Sequence, residues 1–127
     1  MQFMTIVKGP ENAGVPPQAL IDAVDKMTAE QTRAGTMLCF GGLGPSADGA
    51  KVRTSKGKVV VTDGPFTEAK EVIGGFAIVE YATKAEAVDQ VRRLMDLHTR
   101  LWPSWEGECE VRALYGFSPP AEGPKAP

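Results

Sequence analysis

The sequence predicts an α+β fold in which a sheet is covered on one face by two helices, and three observations lead there. Two segments of helical apolar periodicity, 17–34 and 84–101, are each flanked by short strand-like runs. Between those two βαβ halves, the stretch 51–62 holds two further short strands about a Ser55-Lys56-Gly57 turn. The chain of 127 residues fits one domain with a real core but is too short for two. This order, β-α-β, hairpin, β-α-β, is that of a ferredoxin-like sandwich with an inserted hairpin.

Each element has its own local reason. In 2–8, Phe3, Thr5 and Val7 alternate with Met4 and Ile6, so both faces of a first strand are largely apolar. GPENAGVPP is a loop whose prolines suit a helix start. From Pro17 to Ala34, Leu20, Val24, Met27 and Gln31 form a helical stripe with Ile21 and Thr28 beside it, and Gly35 is a natural stop. TMLCFGGL reads as the second strand. GGFAIVEYA reads as another, its Gly-Gly entry freeing the backbone to turn.

Thr83 and Glu86 make a Thr-x-x-Glu capping box, and the helix that follows aligns Ala87, Val91, Leu94, His98 and Leu101. In ECEVRALYG, Cys109, Val111, Ala113 and Tyr115 alternate with Glu108, Glu110, Arg112 and Leu114 as a closing strand. The domain is expected over 1–116, and the Pro-rich 117–127 is expected to be a flexible tail. Two helices cannot cover both faces of the sheet. An apolar uncovered face usually meets another copy, so a homodimer is expected.

Composition narrows the function classes. Net charge is −2, and Lys and Arg are scattered rather than striped with aromatics, which disfavours nucleic acid. No apolar run approaches the roughly 20 residues needed to cross a bilayer. With no leader-like pattern at the N-terminus either, a cytoplasmic setting is expected. Cys39 and Cys109 lie in apolar strands and are read as reduced thiols, with a disulfide as the alternative.

Motifs for bound groups fail on spacing. In GPSADGAK the lysine, Lys51, falls one place late for a phosphate loop and precedes a hairpin rather than a helix. GGLG lacks the remaining glycine and the helix of a dinucleotide fingerprint. One histidine and two isolated cysteines imply no metal, and no cofactor is expected.

The candidate site rests on a few side chains. His98, on the apolar helix face, is either a hydrogen-bonded histidine ending the core stripe or a general acid or base, in which case Asp63 is its candidate partner. Trp102 and Trp105 bracket Pro103 and either wall a ligand cleft or pin a loop to the core. Glu68, Lys70 and Glu71 read as a solvated face unless the chain folds them toward a pocket. In Asp63-Gly64-Pro65-Phe66, Gly-Pro explains a turn, Phe66 suits a core anchor, and Asp63 either ties down the turn's amides or serves as an acid–base group.

The string VTDGPFTEAKEVIGGF resembles the DGPF subgroup of the YciI-related (YCII) family. FMTIVK, GLGPSADGAKVR and GECEVRALYG extend that resemblance in order over roughly 1–117. It implies a ferredoxin-like fold that pairs through its sheets in a dimeric α+β-barrel-like assembly. Few members have an assigned reaction. Some relatives act on small hydroxylated or chlorinated aromatic compounds, with His–Asp pairs proposed as their acid–base machinery. Genomic neighbours of the subgroup suggest a link to extracytoplasmic-function sigma factors. The sequence departs at Gly42, where Glu is frequent, and by lacking a histidine near the first helix.

Two functions follow as expectations. In the first, a small enzyme acts on a small organic molecule, aromatic or hydroxylated. His98 moves a proton, Asp63 orients it, Trp102, Trp105 or Phe66 packs on the substrate, and Lys70 or Arg53 steadies an oxyanion. In the second, the chain is a non-catalytic small-molecule-binding or regulatory module. A purely architectural role for the DGPF turn is the third reading.

Overall fold

A computed structural model describes residues 1–66 and 69–117. Glu68 and the tail residues 118–127, both assigned a character from sequence, lie outside the described residues. The elements are β1 (Gln2–Gly9), α1 (Gln18–Arg33), β2 (Met37–Gly42), β3 (Ala50–Ser55), β4 (Lys58–Asp63), β5 (Val72–Glu80), α2 (Lys84–Leu101) and β6 (Glu108–Ala113). A single 3₁₀ turn, Ser46–Asp48, links β2 to β3.

Four strands form one sheet in the order β2-β5-β1-β6, and every neighbouring pair is antiparallel. β1 and β2 both oppose β5, so they run parallel to each other without touching, as a helical crossover between them requires. The architecture is mixed α+β with antiparallel sheets and two helices, compatible with the barrel-like expectation. Alternation sends Phe3, Thr5 and Val7 of β1 toward the helices, where Phe3, Val79 and Ala87 form the dry centre. Phe3 is 1% exposed, so the core is anchored where β1, β5 and α2 meet.

Helix ends follow local chemistry. At the end of α1, Gly35 takes a left-handed φ of 77°. The Thr36 and Gly35 amides then reach back to the Gln31 and Thr32 carbonyls, a Schellman closure. At the start of α2, the Thr83 hydroxyl accepts from the Glu86 amide at 3.2 Å. Glu86 answers by accepting from the Ala82 amide, one residue earlier than the usual capping box.

Several boundaries differ from the sequence reading. β5 starts at Val72 rather than at the Gly-Gly pair, because the register with β1 slips between Val7 and Lys8 and leaves Gly74 without a β1 partner. The closing strand stops at Ala113, and Tyr115 is 92% exposed instead of continuing the inward set. Cys39 and Cys109 are unbridged and sit on β2 and β6, the two edges of the sheet. Three strand spacings, about 14 Å, separate those edges, beyond the reach of a disulfide.

The hairpin β3–β4 forms its own two-stranded sheet. Lys56 and Gly57 both have positive φ, 51° and 76°, the type I′ geometry whose twist matches the strands. Cross-strand pairing puts Val52 opposite Val61 and Thr54 opposite Val59, so one face is apolar, while Lys51 and Arg53 lie on the other. All of both strands is exposed.

Candidate functional site

Between the sheet and the helices lies a cavity of about 630 Å³. Its floor is β1, through Thr5, Val7 and Gly9, and one wall is the α1 stripe Leu20, Val24 and Met27. The opposite wall is α2, through Ala87, Val91, Leu94 and His98. Those positions recur every three or four residues, so one helical face supplies the wall and carries His98 into it. Leu101, assigned to the same stripe from sequence, does not line the cavity. It lies at the last turn, where the chain leaves the helix.

Three aromatic rings close this end. The Trp102 amide donates to the His98 carbonyl at 2.8 Å, and the Trp105 amide to the Trp102 carbonyl at 3.0 Å. This turn brings the Trp105 ring to 4.8 Å from the His98 ring and 6.2 Å from the Trp102 ring. Trp105 packs where glycines leave room: a methyl on Gly9 would come within 2.7 Å of the indole. A methyl on Gly107 would collide with the same ring and with the Lys8 carbonyl. Trp102 and Trp105 are half-buried and both line the cavity.

His98 has a defined orientation. Its Nδ1 lies 2.8 Å from the Leu94 carbonyl oxygen, which can only accept, so Nδ1 carries the proton. In the neutral ring Nε2 then holds the lone pair. At the far end of the cavity, Gln31 Nε2 donates to the Tyr81 hydroxyl at 3.0 Å. Cys109 lies beside Thr5 on the neighbouring strand, and burial pushes its thiol above the ordinary range.

The residues singled out from sequence divide between two places. His98, Trp102 and Trp105 share the cavity, whereas Asp63, Arg53, Lys70 and Phe66 do not line it. Asp63 ends β4 opposite Ala50, is exposed, and forms no ion pair with His98. The partner expected for His98 is therefore not brought to it, and a backbone carbonyl holds the ring instead. Arg53 lies in the hairpin opposite Val60, and Lys70 is exposed. Phe66 borders a second hollow of about 510 Å³, with the Lys51 ammonium 4.4 Å from its ring centroid.

The turn at Asp63–Phe66 is bolted to the 3₁₀ turn. The Gly64 amide donates to the Gly49 carbonyl at 2.9 Å, and the Phe66 amide to Ser46 Oγ at 2.8 Å. A side chain on Gly64 would overlap the Ser46 carbonyl. The Gly64–Pro65 peptide is cis. Ser46 is 8% exposed, and its hydroxyl donates to Glu11 Oε2 at 2.7 Å while its amide donates to Glu11 Oε1. Glu11 and Ser46 escaped the sequence reading, because each stands in a Gly/Pro-rich loop without periodicity. The only cue was a carboxylate within GPENAG.

Chemically, the cavity offers a large apolar surface, one imidazole with a fixed tautomer, two indoles, and two acidic residues on its lining, Glu11 and Asp25, both exposed. Among the described residues, no cluster of His, Cys, Asp and Glu is arranged to hold a metal ion, and no helix is long and apolar enough to cross a membrane.

Comparison with known proteins adds a family. An uncharacterised protein of Rhizobium meliloti (strain 1021) is 39% identical over 75 residues, covering 59% of this chain. The chain spans 56% of that relative's length. The YCII-related domain matches residues 1–96, from β1 through most of α2. The chain belongs to the YCII-related domain family.

Proposed function

We propose that the cavity binds a small organic molecule, aromatic or hydroxylated, and that His98 moves a proton to or from it. The observation that carries this reading is the imidazole itself, its Nδ1–H held by the Leu94 carbonyl at the wall of an apolar cavity. A ring held that way keeps Nε2 for a ligand, and an apolar pocket with a few polar groups is the usual form of a small-molecule site. The Leu94 carbonyl takes the orienting role first assigned to Asp63. Trp102 and Trp105 supply flat surfaces for the ligand.

On the same reading, the chain is a DGPF-subgroup member with a ferredoxin-like fold, working in the cytoplasm. The motif at 63–66 and the strand order β2-β5-β1-β6 support the first two of these. The test is a thermal-shift screen of small aromatic and hydroxylated compounds, followed by turnover of any hit. His98→Gln should lower turnover by about 100-fold or more while leaving the ligand-induced rise in Tm. Turnover unchanged in that variant would remove His98 from the chemistry.

A second reading is a non-catalytic binding or regulatory module, favoured by the hairpin. Val52, Val59 and Val61 share one face and are 66%, 67% and 63% exposed. An apolar ribbon in water is a docking surface, and a second copy of the chain is its proposed partner. The proposed sigma-factor link rests on the family resemblance alone.

A further inference from the structure

We infer that the cavity selects an organic cation, an amine with an apolar body, over a neutral or anionic molecule of the same shape. This rests on the reading of the cavity as a small-molecule site and adds the charge class of its ligand. The titratable residues on its lining are Glu11, Asp25, Tyr81 and His98, and among the described residues neither Lys nor Arg lines it. A bound carboxylate or phosphate would face two acids with no cation to offset them. A bound ammonium would find two acidic residues and aromatic rings on the lining.

Glu11 and the aromatic rings both meet the chain near Gly9, at the end of β1. Trp105 packs on Gly9, and Glu11 follows Gly9 by two residues, a backbone span of at most about 7 Å. The Glu11 carboxylate is held by the Ser46 amide and hydroxyl, and that hydroxyl is held in turn by the Phe66 amide. These donors fix the carboxylate without neutralising it, and Glu11 forms no ion pair among the described residues. A fixed anion on the same lining as the Trp102–Trp105 pair and the His98 ring matches the chemistry of ammonium recognition by aromatic faces. The apolar remainder, lined by Leu20, Val24, Met27 and Val91, takes the body of the ligand. The clamp at Asp63–Phe66 thereby acquires a consequence for binding: it holds Ser46, and Ser46 holds Glu11.

The experiment is a charge series of one shape: 3-phenylpropylamine, its trimethylammonium analogue, 3-phenylpropanol and 3-phenylpropionate, each titrated by calorimetry and thermal shift. The two cations are expected to bind at least about fivefold more tightly than the alcohol, with the acid weakest. The advantage of the cations should shrink as salt is raised. Glu11→Gln should bring the amine down toward the alcohol and leave the alcohol unchanged. Equal binding of amine, alcohol and acid by the wild-type protein would overturn the inference while leaving the cavity as a ligand site. An amine-to-alcohol ratio unchanged in folded Glu11→Gln would also overturn it. If none of the four binds, the cavity reading falls along with it. The wild-type series and its salt dependence need no variant, so the outcome does not depend on how well Glu11→Gln folds.

Discussion

Gly64 and Ser46 carry more of the architecture than their size suggests. Gly64 lies against the Ser46 carbonyl with no space for a β-carbon, so Gly64→Ala must push the two turns apart. A loss of about 1–3 kcal/mol is expected, as for overpacked sites, and chemical denaturation of the variant measures it. Ser46→Ala removes a hydroxyl that both donates to Glu11 and accepts from the Phe66 amide. It should cost a similar ~1–3 kcal/mol and free the Glu11 carboxylate to move. Asp63 neighbours this clamp, yet its side chain is exposed, which separates the motif's packing role from its charge. His98, by contrast, was legible in the sequence as one more step of a helical stripe, and it lines the cavity as that stripe implies.

At the level of elements, helix ends and strand pairs answer to local rules. Thr83→Ala removes the acceptor for the Glu86 amide and should cost about 1 kcal/mol, read as a lower Tm. Across β1 and β6, Lys8 Nζ lies 2.8 Å from Glu110 Oε1, and Arg112 holds the other oxygen at 2.9 Å. The hydrogen bond from Lys8, then that from Arg112, holds the Glu110 carboxyl below its ordinary range, and the bond to Glu110 raises Lys8. Glu110 therefore stabilises above the ordinary carboxylate range, and that contribution is lost as pH falls through its lowered value. Lys8 contributes below the ordinary lysine range and loses its contribution as pH rises through its raised value. Both side chains are about a third exposed, 28% and 32%, so the effect is screened and small. Glu110→Gln should lower Tm at neutral pH and match the wild type in strong acid. A Tm difference that persists unchanged in strong acid would show that packing, not charge, is responsible.

For the whole molecule, the hairpin is the proposed contact surface. Two strands alone are marginal in water, and this pair turns Val52, Val59 and Val61 outward. If a second copy covers them, Val52→Ser with Val61→Ser should shift a dimer toward monomer in sedimentation and leave the far-UV spectrum of the sheet and helices intact. A wild-type chain that sediments as a monomer at high concentration would remove the dimer from the proposal. The cavity is also a property of the whole molecule, because its floor, two walls and aromatic end come from β1, α1, α2 and the turn after α2.

The sequence by itself determined the elements and most of their ends, because periodicity, Gly35, the Thr83 cap and the Lys56-Gly57 turn act over a few residues. It also determined the family, and it put His98, Trp102 and Trp105 close along one stretch. The start of β5 is not legible in its own residues, since a slip in pairing depends on the partner strand. Only the tertiary structure decided that Asp63 stands apart from His98, that Glu11 meets Ser46 across 35 positions, and that the cavity lining carries acids but, among the described residues, neither Lys nor Arg. Such facts follow from which loops the sheet brings side by side. No local pattern records that.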